Sequence, residues 1–166
     1  MADAAGTTTT NGDGSLPSSF RGVTELTLDA KGRLAVPARY RETLAAAAVD
    51  RLVITADPSR CLLVYPHATW QPIQERLMRL SGFDERIRAL QRLLVGHADD
   101  VEMDAAGRIL VPPALRQYAE LDHDVVLVGQ GNKFELWNET RWQEATARTI
   151  TFPSGGLPPE LDGFSL

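Results

Sequence analysis

The chain has 166 residues, 43% of them hydrophobic and 23% charged, with a formal net charge of −5; this is the balance of one ordinary globular domain, or of two small ones sharing a core. Its single cysteine, Cys61, excludes a disulfide framework within the chain. No apolar run approaches the roughly 20 residues that span a bilayer, and the N-terminus lacks the basic flank and apolar core of a secretory signal, so a cytoplasmic protein without a membrane partner is expected.

Residues 1–19, with four consecutive threonines and a Gly, Asp, Ser and Pro run, bury too little apolar surface to order themselves, and a disordered extension is expected there. Residues 24–28 alternate polar and apolar, as a half-buried strand does. In the following Asp29-Ala30-Lys31-Gly32-Arg33, Asp29 suits the start of a type I turn and Gly32 the left-handed position that closes a hairpin with a bulge. Arg33 begins the return strand, Lys31 lies at the tip, and Pro37 precedes a helix over about 38–47.

Residues 52–56 and 61–65, joined by Asp57-Pro58-Ser59-Arg60, read as a second hairpin whose continuous apolar runs predict burial on both faces. Two amphipathic helices follow, over about 68–80 and 84–95. In the second, Ile87, Leu90, Leu94 and Val95 form a stripe that packs on the core or on another subunit. The remainder reads as a strand near 100–103, a turn at 104–107, a helix over 113–121, a strand over 125–128, a turn at 129–132, a strand over 133–137 and a helix over 139–150. Residues 151–166, rich in Pro and Gly, are expected to form a flexible tail.

The organising feature is a duplication. Asp29-Ala30-Lys31-Gly32-Arg33 returns as Asp104-Ala105-Ala106-Gly107-Arg108, each copy followed, after two intervening residues, by a Val-Pro pair, and Arg41 is matched by Arg116. Further on, Val53-Ile54 aligns with Val125-Val126, Tyr65 with Trp137, and Trp70-Gln71 with Trp142-Gln143. The expected organisation is therefore a first domain over 20–66, a helical linker over 67–98 and a second domain over 99–150.

Catalytic and metal chemistry find little footing. His67, His97 and His123 are far apart and lack metal-ligand spacing. Cys61 lies in a strand expected to be buried, where a thiol behaves as a small hydrophobe. No enzyme, metal or cofactor is expected. The Asp-x-x-x-Arg segments admit two readings. In the structural one, Asp29 and Asp104 cap the turns, Gly32 and Gly107 supply positive φ, and each arginine pairs with its aspartate. In the functional one, a rigid two-stranded element presents a guanidinium to phosphate or guanine in the major groove. Repetition of the arginine after the glycine favours the second. Net acidity does not oppose it, because residues 20–42 carry Arg21, Lys31, Arg33, Arg39 and Arg41 against Glu25, Asp29 and Glu42.

The run from Phe20-Arg21-Gly22 through residues 29–41, with Cys61-Leu62-Leu63-Val64-Tyr65-Pro66, residues 91–98, residues 104–111 and residues 128–137, resembles the MraZ family of bacterial transcriptional regulators. The resemblance spans 20 to about 148. It implies an α+β fold of two tandem, pseudo-symmetric SpoVT/AbrB-like halves, swapped-hairpin and β-barrel-like, with short helices. It also implies a homo-oligomeric ring that binds direct repeats in double-stranded promoter DNA of its own division and cell-wall operon, generally as a repressor, and associates with the nucleoid. Arg33, Lys31 and Arg108 are the implied DNA contacts, with Arg21 a further candidate; Ala106 replaces the tip lysine in the second copy. The rival from another class is an oligomeric protein-binding scaffold in which the motif is purely structural.

Overall fold

In the computed structural model of the chain, residues 20–149 and 159–161 are described; the extension expected over 1–19 and the tail expected over 151–166, apart from one 3-10 turn at Pro159–Leu161, lie outside them. The first half contributes β1 (Phe20–Thr27), β2 (Arg33–Ala35), α1 (Ala38–Ala46), β3 (Arg51–Ala56), β4 (Leu62–Pro66) and α2 (His67–Arg79). After α3 (Glu85–Leu94), the second half repeats the order with β5 (Asp99–Glu102), β6 (Arg108–Leu110), α4 (Pro113–Tyr118), β7 (Asp124–Gly131), β8 (Phe134–Asn138) and α5 (Glu139–Thr149).

The halves are built from each other's strands. The larger sheet is antiparallel in the order β1-β7-β8-β4-β3-β5, so the first strand of each half pairs with the third strand of the other. A second, two-stranded sheet joins β2 to β6 across the halves, with Leu34 opposite Ile109. This corrects the expectation of a simple β1–β2 hairpin. The local turn bonds do form, Gly32 N–H to the Asp29 carbonyl and Asp29 N–H to the Arg33 carbonyl, but the ladder ends at a single Leu28–Leu34 bridge. β1 instead runs antiparallel to β7 over its full length, from Phe20 opposite Gly131 to Thr27 opposite Asp124. Eight residues of long, apolar partner strand outweigh the few ladder bonds a three-residue β2 can offer.

The pairing also shifts the expected internal alignment. Leu52 lies opposite Pro66 and Val101, and Val125 lies opposite Asn138 and Leu26. Leu52 is therefore the counterpart of Val125, and Val53 that of Val126. The link from Ala56 to Leu62 is one residue longer than the equivalent link from Gly129 to Phe134, which absorbs the slip. The segment at 129–132, expected to be a turn, is mostly strand: β7 continues to Gly131, and a Cβ on Gly129 would collide with the backbone of Phe20 and Arg21 on β1. Close strand approach, not turn geometry, requires that glycine.

Both hairpins β3–β4 and β7–β8 are buried on both faces, as their continuous apolar runs predict. One face supports the main core, where Leu34, Val36, Tyr40 and Leu44 from the first half meet Ile109, Val111, Leu115 and Ala119 from the second. On the other face, Val53, Leu63, Tyr65 and Trp70 pack beneath α2 and α3, while Val126, Val128, Trp137 and Cys61 pack beneath α5 with Trp142. Among the described residues no helix is long and apolar enough to cross a membrane.

Because the main core is shared, the two halves should melt as one. Leu34→Ala, a truncation at a residue 1% exposed, is expected to cost about 2–5 kcal/mol. Fluorescence from Trp70 and from the Trp137–Trp142 pair should then report a single, coincident transition at lower denaturant; two separate transitions would contradict the shared core.

Candidate nucleic-acid interface

The duplicated loops are built by their aspartates. Asp29 Oδ1 accepts the backbone N–H groups of Lys31 and Arg33, both at 2.9 Å, and Oδ2 accepts Arg33 Nε at 2.6 Å. Asp104 does the same for Ala106 N, Arg108 N and Arg108 Nε, each at 2.9 Å. Both carboxyls are held below the usual carboxylate range, chiefly by the backbone N–H of Arg33 or Arg108 and further by that arginine's side chain. Gly32 and Gly107 take φ of +81° and +77°, the left-handed region that closes each loop. Asp29 and Asp104 thus cap their loops, and Gly32 and Gly107 carry the positive φ.

The same pairing fixes where the arginines stand. In β2 and β6 the central residues Leu34 and Ile109 turn into the core, so Arg33, Ala35, Arg108 and Leu110 occupy the opposite, outward face. Arg33 lies opposite Leu110, and Arg108 opposite Ala35, which puts the two guanidinium-bearing positions on one diagonal of a three-pair ribbon. Each is tied to its aspartate through Nε only, and among the described residues neither makes a further hydrogen bond through its terminal amino groups. The antiparallel ribbon places the loop at 29–32 and the loop at 104–107 at its two ends. Lys31 is exposed at one end; exposed Ala106 stands at the other.

Two further arginines belong to this arrangement, and their matched positions in the repeat were the available signal. A Cβ added to Gly32 would strike the guanidinium of Arg116, and one added to Gly107 would strike that of Arg41. Each loop therefore lies under an arginine from the other half. Arg116 is aimed by Nε donating to the Val111 carbonyl at 3.1 Å. The backbone repeats the exchange: Val36 N–H donates to the Gly107 carbonyl and Val111 N–H to that of Gly32, both at 2.9 Å.

Arg21 stands elsewhere. It is exposed near the far end of β1, opposite Gln130. About 23 Å of extended strand separates it from Leu28, where the first loop begins. Its neighbourhood is organised by Tyr40, whose hydroxyl donates to the Arg21 carbonyl at 2.8 Å while Arg39 donates to that hydroxyl and to Thr24. The remaining candidates for chemistry do not converge. Cys61 is fully buried and its thiol is pushed far up by burial. Among the described residues no group of three His, Cys, Asp or Glu could hold a metal ion.

The chain is thus a tandem α+β protein with exchanged strands and two arginine-bearing loops flanking one ribbon. The family model for MraZ protein, described also as antitoxin-like, matches residues 19–93 and again residues 94–155. The chain is 55% identical over 147 residues to the transcriptional regulator MraZ of Thiobacillus denitrificans, and 58% identical over 147 residues to that of Nitrosospira multiformis. Each comparison covers 89% of this chain and 99% of the relative. The Legionella pneumophila protein of the same name is 48% identical over 151 residues. The chain belongs to the MraZ family.

Two outcomes test the loop geometry. Gly32→Ala must hold a positive φ with a methyl group against Arg116, and is expected to destabilise the protein by about 1–3 kcal/mol, with Gly107→Ala similar; a neutral effect on thermal melting would contradict the cross-half packing. The lowered carboxyls fix the sign of the pH effect. A group whose pKa is depressed on folding adds stability above the ordinary carboxylate range and loses it as pH falls through the folded value. Amide exchange at Lys31, Arg33, Ala106 and Arg108 should therefore accelerate in acid beyond its intrinsic pH dependence, while remaining protected near neutrality.

Proposed function

We propose that this chain is a DNA-binding transcriptional regulator that meets double-stranded DNA with the outward face of the β2–β6 ribbon and its two flanking loops. The observation that carries the reading is the diagonal of Arg33 and Arg108 on one exposed face, each anchored through Nε so that its terminal amino groups keep their donors for a ligand. A guanidinium so held loses little freedom on contacting phosphate or the guanine edge. Two-stranded ribbons fit the major groove. Membership of a family whose relatives are named transcriptional regulators supports the same class.

On this reading Arg33 and Arg108 are the principal contacts, Lys31 adds phosphate attraction at the first loop, and Arg21 is a peripheral contact. The target is direct repeats in the promoter of the chain's own division and cell-wall operon, bound by a homo-oligomeric ring that represses it in the nucleoid. Several modest ribbons on one scaffold gain through effective concentration. Acidic surface more than about 8 Å from the phosphates is screened at physiological salt, so a net charge of −5 is tolerated. The reading assigns the chain no catalytic role and no cofactor.

An oligomeric protein-binding scaffold is the second reading, favoured by the Asp29–Arg33 ion pair and by exposed Met78, Leu80 and Phe83. A mobility-shift titration on the DNA upstream of the chain's own gene separates the two. The parent should give a selective shift that weakens steeply with salt. Arg33→Ala should bind about 10-fold or more weakly, with oligomer size and folding unchanged, and Lys31→Ala should reduce the salt slope by about 1. Binding of Arg33→Ala equal to the parent, with the oligomer intact, would overturn the assignment of that contact.

A further inference from the structure

The outward face of the β2–β6 ribbon carries four side chains, which fall into two equivalent pairs under the duplication. Arg33 corresponds to Arg108, and Ala35 to Leu110. The arginine pair is alike at both ends, so it does not distinguish the two directions along a DNA groove. The second pair is unlike. Ala35 presents a methyl group, whereas Leu110 presents a full isobutyl side chain that is 51% exposed. The core does not require that leucine: Leu34 and Ile109 fill the buried side of the ribbon, and Ala35 satisfies the matching outward position with a methyl. A single exposed leucine is ordinary on a protein surface; this one stands on the face that carries both ribbon arginines. Lys31 and Ala106 also differ between the loops, but a lysine on phosphate carries no sequence information.

Leu110 lies directly opposite Arg33 in the ladder, while Arg108 has only Ala35 opposite it. Side chains so paired stand on one face with their Cβ atoms about 5 Å apart. Successive bases of a strand are about 3.4 Å apart. A ribbon that sets Arg33 on one base pair therefore sets Leu110 within one or two steps of it. In the major groove the apolar group on a base edge is the thymine C5 methyl. A leucine delivered there leaves water against that methyl; against other base edges it covers donors or acceptors that it cannot satisfy. We infer that Leu110 reads a thymine methyl beside the base pair met by Arg33, and so sets the direction in which the ribbon lies on DNA. The inference rests on the ribbon reading above and assigns it a specificity-determining residue.

Deleting the methyl from the DNA tests this while leaving every hydrogen-bonding group of the base in place. In the shortest segment upstream of the chain's own gene that the parent shifts, each thymine is replaced in turn by deoxyuridine. One thymine in each bound site should stand out, its replacement weakening the parent about 2- to 4-fold. Leu110→Ala should weaken binding to the unmodified segment by a similar factor and be indifferent to deoxyuridine at that position, with sedimentation and thermal melting unchanged. Leu110→Met, which keeps a large apolar side chain there, should retain the dependence. A parent indifferent to every replacement, or a Leu110→Ala protein as sensitive as the parent or of altered sedimentation, would overturn this assignment and leave the ribbon reading standing. A parent that shifts no DNA selectively would overturn both.

Discussion

Leu34 opposite Ile109 is the contact on which the molecule turns. Both side chains are almost fully buried, and each belongs to a strand of only three residues that could not hold a place in a sheet alone. Their mutual burial closes the main core and fixes the register of β2 on β6. That register decides which residues face outward. Because side-chain direction alternates along a strand, burying Leu34 and Ile109 obliges Arg33 and Arg108 to face solvent on the same side.

Electrostatics then refines what packing has placed. An arginine on a free strand samples many rotamers, and fixing it on a ligand costs entropy. Here Asp29 and Asp104 restrain Nε while the glycines let the backbone turn tightly beneath it. Each aspartate carboxylate is engaged by three N–H donors of its own loop. Arg41 and Arg116 each pack against the loop of the opposite half. The missing lysine at Ala106 leaves the ribbon electrostatically lopsided, with the stronger end at Lys31.

Much of this was legible from residues alone. The repeat, the helices, the turn chemistry of Asp29 and Gly32 and the buried β3–β4 and β7–β8 hairpins all follow from local pattern. What was not legible is which strand pairs with which. β1 and β2 are adjacent in sequence and carry a good turn between them, yet their partners are β7 and β6. Local turn propensity fixes a loop; the choice of ladder is made by the length and apolarity of strands roughly a hundred residues away. Gly129 misled for the same reason, since its small size serves a neighbour invisible in the local sequence. The matched Arg41 and Arg116 were visible as a pattern, but their place against the opposite loop depends on the exchange.

The most direct test of the central claim is site-specific crosslinking from the ribbon to DNA. Cys61 is fully buried, so a cysteine introduced at Leu110, or at Phe83 on the α2–α3 loop, can be labelled selectively with a photoactivatable group. The account predicts efficient crosslinking to promoter DNA from position 110 and little from position 83. Crosslinking from 83 with none from 110, in protein that still shifts the DNA, would show that another face carries the nucleic acid.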